Sequence, residues 1–125
     1  MIEAGVVVVT GNPVYWHLPP NRTGGSLPDS RALWDVLWNL RKEEGLGFAH
    51  SHPGSGTPGP SWTDLTTFSS IERGLGRRLN WWITSSNRVI HLSWMGPEEL
   101  DYVPVTIEQP MWADELRRLS VWLET

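Results

Sequence analysis

The chain reads as an α/β (α+β) protein, a mixed β-sheet flanked by helices. Two observations carry that reading. Short apolar, β-branched runs alternate with longer segments whose leucines recur at helical spacing. The resulting order, β-β-α-β-α-β-β-β-α, interleaves strands with helices that can cover the faces of a sheet. The 125 residues suffice for one domain with a hydrophobic core, and no internal repeat or linker divides residues 1–125.

Gly5 to Thr10 is a β-branched run closed by Gly11-Asn12-Pro13, which predicts a buried strand and a turn. Val14 to Leu18 is the return strand of a hairpin. Pro19 to Asp29, rich in Pro and Gly, reads as an exposed, mobile loop. Asp29 or Ser30 caps a helix that runs to about Glu43. Leu33, Leu37 and Leu40 form its inner stripe, extended by Trp34 and Trp38, and Gly45 is its C-terminal stop. Leu46 to His50 is a short strand, and Gly54 to Pro60 is a loop by composition. Ser61 begins a second helix, which reaches about Ile71 or Arg73 with Leu65, Phe68 and Ile71 inward. After a short connection at Gly74 to Arg78, Leu79–Thr84 and Arg88–Trp94 form a hairpin. Tyr102 to Ile107 is the last strand. Pro110 precedes a C-terminal amphipathic helix carrying Leu116, Leu119 and Leu123.

Composition removes several function classes. The net charge is −4, and Arg73, Arg77 and Arg78 form the one local basic cluster, so nucleic acid is not expected as a partner. With no cysteine, disulfides, thiolate metal sites and thiol nucleophiles are excluded. The run Val6 to Val9 is far too short to cross a membrane, and the first residues lack a basic leader. A cytoplasmic protein with no membrane partner is the expectation. Nine tryptophans are read chiefly as packing, with a peptide-binding surface as the other use of exposed ones.

The chemistry concentrates in His50-Ser51-His52-Pro53 and Ser61-Trp62-Thr63-Asp64. Alternate residues of a strand project from one face, so His50 and His52 point the same way. Ser61 and Asp64 are i and i+3, neighbours on the first turn of a helix. A strand end and a helix start joined by a tight loop can present two imidazoles and a carboxylate to one point. Three N and O ligands with a fourth position left for water is the open arrangement of a catalytic zinc site. His17 and His91 have no partner spacing and are read as structural, while Glu43 and Glu44 are read as solvated charges.

His-x-His-Pro, seven residues, then Ser-x-x-Asp resembles the motif of the JAMM (MPN+) metalloprotease family, also called Mov34/JAB. His50, His52, Pro53, Ser61 and Asp64 match it, and the likeness runs from about Glu3 to about Ile107. The resemblance implies a JAB/MPN, cytidine-deaminase-like architecture and a Zn2+ held by His50, His52 and Asp64. It also implies an upstream glutamate as general base, a pattern that Glu3-Ala4-Gly5-Val6-Val7 fits, and Ser61 as oxyanion donor. The family normally carries a strand and a helix before that glutamate, whereas Met1 and Ile2 precede it here. Purely structurally, Ser61 is also a helix N-cap. The implied activity is hydrolysis of an amide bond after the C-terminal tail of a ubiquitin-like or sulfur-carrier protein. The tail is expected to bind by strand addition near Val14 to Leu18. The short connection after the second helix implies a stand-alone, prokaryote-like enzyme with little linkage selectivity. The alternative is a non-catalytic scaffold of the same fold. A zinc nucleobase deaminase is disfavoured, because His-x-Glu and Pro-Cys-x-x-Cys are both missing.

Overall fold

The structure is a computed structural model that describes residues 1–121. Among the described residues there are six strands and three helices. β1 (Gly5–Val9) and β2 (Asn12–His17) are followed by α1 (Arg31–Asn39), β3 (Leu46–Ser51) and α2 (Trp62–Leu75). β4 (Asn80–Thr84), β5 (Val89–Trp94), β6 (Tyr102–Ile107) and α3 (Ala113–Leu119) complete the order. The strands form one mixed sheet in the order β2-β1-β3-β4-β5-β6. The β3–β4 pair is parallel, as its α2 crossover requires, and the other pairs are antiparallel. The α+β class read from the sequence is the class found, in the expected element order.

Strand alternation divides the core between the two sheet faces. Val7, Leu46, Phe48, Trp81, Ile83, Ile90 and Leu92 face α1 and α2. Ala4, Val6, Val8, Ala49 and Val89 pack with Trp112, Ala113 and Leu116 at the α3 side. With both faces covered, β1 and β3 are apolar at nearly every position, as central strands must be. Gly5 permits a close approach: a Cβ there would lie 2.3 Å from the Phe48 ring.

Several boundaries differ from the expectation for physical reasons. The first turn is Thr10-Gly11, both at positive φ, and not Gly11 to Pro13. Asn12 and Pro13 are already paired with Val9 and Val8. Proline is tolerated there because β2 is an edge strand whose outer N–H groups need no ladder partner. Ser30, not Asp29, caps α1, its hydroxyl accepting from Leu33 N at 3.0 Å. The helix stops at Asn39, short of Glu43, and Gly45 takes its left-handed turn beside Thr10 at the entry to β3. α2 runs on to Leu75, so the connection to β4 begins at Gly76, which closes the helix in the left-handed conformation. Leu33 and Leu37 are buried as expected, but Trp38 is largely exposed, stacked on Trp34 with the Arg41 guanidinium 4.0 Å from its ring. Leu123 lies outside the described residues.

A buried carboxylate lies in the α1/α2 layer. The Glu72 carboxylate, on a residue 2 % exposed, accepts from Leu79 N and Trp81 Nε1, each at 2.9 Å, and from the Tyr102 hydroxyl. Arg78 Nη1 reaches it at 3.0 Å. The carboxylate thus joins α2 to β4 and β6. Glu72→Ala leaves these donors unpaired and opens a cavity, and should cost about 3–5 kcal/mol. Urea unfolding measures it, and a loss below about 1 kcal/mol would show that the network contributes little.

Candidate metal centre

The centre is assembled at the C-terminal end of β3 and the N-terminal end of α2, the end of a parallel strand pair where open α/β sheets place their ligands. β1 and β3 pair with Gly5 opposite His50. Continuing that register sets Ala4 against Ser51 and Glu3 against His52. Ser51 N donates to Ala4 O at 3.0 Å, which extends the pairing past the end of the strand. Glu3, His50 and His52 each offer one donor atom, and these three atoms lie within 4.8 Å of one another.

Glu3 is held by backbone contacts on every side. Its N–H donates to Thr23 O at 2.8 Å, and its carbonyl accepts from Arg22 Nη1 at 3.1 Å. Arg22 also donates to Leu119 O, and Ile2 N donates to Ser120 O. Ser51, pointing away from the histidine face, accepts from Ala4 N and from the Ser120 hydroxyl at 2.7 Å. Glu3 itself is buried. The loop from Pro19 to Asp29, expected to be exposed and mobile, is therefore part of the site's support. His17 joins in: its Nε2 lies 2.7 Å from Pro28 O while its ring packs against Phe48.

Asp64 enters from α2. It forms a capping box with Ser61: Asp64 N donates to Ser61 Oγ at 3.0 Å, and Ser61 N donates to Asp64 Oδ2 at 2.9 Å. The box orients the carboxylate so that one oxygen meets each imidazole. His52 Nε2 lies 2.9 Å from Oδ2 and His50 Nε2 lies 3.2 Å from Oδ1. The His50 approach is a close contact, not an aligned hydrogen bond. Among the described residues, its buried Nε2 has no hydrogen-bond partner. A buried ring nitrogen without a partner is costly unless something else occupies its lone pair.

The loop between histidines and serine is clamped by the β4–β5 turn. Gly56 N donates to Asn87 Oδ1 at 2.7 Å, Ser85 Oγ donates to Gly56 O, and Ser86 N donates to Gly54 O. His52 N is fixed to Thr84 O at 2.9 Å.

The surroundings drive the two carboxylates apart. Burial raises the Glu3 pKa, and the facing Asp64 charge adds to this, while His50 and His52 oppose it. For Asp64 burial also acts upward, but the two imidazoles and the Ser61 N–H outweigh it and hold the carboxyl well below the usual range. Burial lowers the His52 pKa, yet Asp64 and Glu3 outweigh burial and the net shift is upward.

No protein-family model and no curated protein matches the chain.

The residues fit a divalent metal ion of intermediate softness. They supply two imidazole nitrogens, one of them buried without a hydrogen-bond partner, and carboxylate oxygens from Glu3 and Asp64. All five residues singled out in the sequence, Glu3, His50, His52, Ser61 and Asp64, come to this one region. Three kinds of residue were missed. His17 and Leu27 line the adjoining cavity, Arg22 and Ser51 hold Glu3, and Ser85 and Asn87 hold the loop. Apart from Ser51, none has a spacing signal, because each acts through a contact far away in sequence. Ser51 alone had one, since the residue between two inward-facing histidines must face the opposite side. His91 has no place in the centre and bonds Asn80 Oδ1. Trp62, beside Ser61, is 72 % exposed, whereas Trp81 and Trp112 are core residues.

The shifts set a pH test on the metal-free protein. The His52–Asp64 pair contributes fully below the ordinary imidazole value of 6.5 and fades as pH climbs through the raised His52 value. Asp64 stays charged over that range and loses its share only as pH falls below the ordinary 3.8. Asp64→Asn keeps an acceptor for Ser61 N but removes the charge. It should cost about 1–2 kcal/mol near pH 5.5 and less near pH 8. Urea unfolding at both pH values reads this, and an equal or larger cost at the higher pH contradicts the pairing.

Proposed function

We propose that the chain is a cytoplasmic zinc peptidase of JAMM/MPN+ type, with the JAB/MPN architecture. Its substrate is the C-terminal tail of a ubiquitin-like or sulfur-carrier protein, at an amide bond that it hydrolyses. The observation that carries this reading is the convergence of Glu3 with His50 and His52, across 47 residues of chain, opposite an Asp64 already turned toward both imidazoles. A scaffold has no need of a buried carboxylate at that position.

His50, His52 and Asp64 would hold the ion. Bound Zn2+ supplies Lewis acidity and lowers the pKa of a water toward neutrality. The division of labour between the carboxylates follows from their opposite shifts. Asp64, kept anionic by its neighbours, is the ligand, while Glu3, with its pKa raised by burial, is suited to take and return a proton. In hydrolysis the water oxygen bonds to the carbonyl carbon and Glu3 accepts the water's proton. The C–N bond then breaks as Glu3 passes that proton to the departing nitrogen. The products are a carboxylic acid and an amine, and Glu3 is restored. Ser61 Oγ accepts from Asp64 N, which leaves its own proton free to donate to the carbonyl oxygen as charge develops there. The N-cap and oxyanion roles therefore coexist in one hydroxyl.

The tail is proposed to add along the edge strand β2, where Val14 is exposed and Leu18, just past the strand, is also exposed. Among the described residues no helix is long and apolar enough to cross a membrane.

Zinc-loaded protein should cleave a ubiquitin-like or sulfur-carrier protein bearing a C-terminal peptide extension. Glu3→Gln should reduce kcat by about 10²–10⁴-fold while keeping one zinc per chain. Ser61→Ala should lose about 10²-fold, together with about 1 kcal/mol of stability from the missing cap. Undiminished hydrolysis by Glu3→Gln would overturn the base assignment.

A further inference from the structure

Residues near the start of a chain fray unless something ties them down. β1 begins at Gly5, so Glu3 lies outside the strand ladder and its place depends on other contacts. Those contacts come from two segments remote in sequence. In the loop between β2 and α1, Thr23 O accepts from Glu3 N at 2.8 Å. On the other side stands the C-terminal end of α3. The last carbonyls of a helix have no partner within it and are open to donors from outside. Two of them are taken here. Ser120 O accepts from Ile2 N at 2.8 Å, and Leu119 O accepts from Arg22 Nη1 at 3.0 Å. The same Arg22 nitrogen donates to Glu3 O at 3.1 Å. A terminal guanidinium nitrogen carries two N–H groups, so one nitrogen can serve both carbonyls.

Arg22 therefore joins the loop, the end of α3 and the segment before β1. Its guanidinium stays charged at any working pH, its bonds to carbonyls are charge-assisted, and a cation is favoured at a helix C-terminus. With Glu3 N and Glu3 O both engaged, and Ala4 N held by Ser51 Oγ at 2.9 Å, the peptide planes on either side of the Glu3 Cα are set. The direction in which the Glu3 side chain leaves the backbone follows from them. We propose that Arg22 is a positioning residue for hydrolysis, with the C-terminal end of α3 as the template against which it fixes Glu3. This role rests on the peptidase reading and extends it: the JAMM-like stretch ends near Ile107, whereas Leu119 and Ser120 help to set the proton carrier. Arg22 belongs to neither core cluster, and the two carbonyls are the only hydrogen-bond partners of its side chain among the described residues. Its replacement thus removes the tie without opening the core. Proton transfer needs the carboxylate within hydrogen-bond reach of the reacting groups, and a displacement of about 1 Å can cost about a hundredfold in rate.

Two readouts separate this role from the peptidase reading. The first needs neither metal nor substrate: amide hydrogen exchange of the metal-free protein, followed residue by residue by NMR. Arg22→Met should speed exchange at Glu3 and Ala4 by roughly tenfold or more, while Val7 and Leu92 in the central strands stay within about twofold. Arg22→Lys keeps the charge without the planar fork and should fall between the two. The second readout is hydrolysis by zinc-loaded protein of a ubiquitin-like or sulfur-carrier protein bearing a C-terminal peptide extension. Arg22→Met should lower kcat by roughly tenfold to a hundredfold while KM and one zinc per chain are kept, and Arg22→Lys should recover part of the loss. A tie that serves stability alone would change exchange and leave kcat unmoved. Unchanged exchange at Glu3 in Arg22→Met overturns the positioning role, and so does faster exchange with undiminished kcat. If the wild-type protein cleaves nothing, the peptidase reading fails, and the fixing of Glu3 by Arg22 stands or falls on the exchange readout.

Discussion

The antiparallel pairing of β1 with β3 is the constraint on which the rest depends. It sets Gly5 beside His50, and the same register carried two residues further brings Glu3 to His52. A slip of one residue would turn Glu3 to the α3 face and leave the histidines without it. The pairing is secured from the other side of the sheet. Ser51 faces away from the histidines and binds both Ala4 N and Ser120 Oγ, so the end of α3 and the segment before β1 are fastened to the histidine strand itself. Arg22 adds a second tie, between Glu3 O and Leu119 O. A single strand thus presents the two imidazoles on one face and the support for their placement on the other.

Electrostatics then separates two carboxylates that lie against the same pair of rings. Asp64 accepts the Ser61 N–H, meets the His52 imidazole at 2.9 Å and lies 3.2 Å from His50 Nε2, and it stays ionised despite burial. Glu3 has few such donors and burial dominates, so its proton affinity rises. Opposite shifts in neighbouring acids are what ligand and proton carrier require of one site. The buried His50 Nε2 has no hydrogen-bond partner among the described residues, which leaves it able to bind a metal ion.

The local chemistry could be read from the sequence because it is local. His50 and His52 are alternate residues of one strand, and Ser61 and Asp64 occupy one helical turn. The hydrophobic periods that place both elements survive without tertiary knowledge. Glu3 came into view through resemblance alone, since nothing in its own neighbourhood announces a partner at residue 50. The misplaced end of α1 has a physical cause. Gly45 does adopt the left-handed conformation, but it serves the approach to Thr10 rather than a helix stop. Pro13 stayed in a strand because β2 lies at the sheet's edge, a property of strand order and not of composition. The roles of His17, Arg22, Ser85 and Asn87 arise from pairings between distant segments.

The most direct test of the centre is zinc-edge anomalous diffraction from crystals grown with one equivalent of Zn2+. The assignment of roles predicts a single strong anomalous peak touching His50 Nε2, His52 Nε2 and the Asp64 carboxylate, with Glu3 near the ion but not bound to it. A peak bound by Glu3 in place of Asp64, or no peak between the two imidazoles, would contradict it.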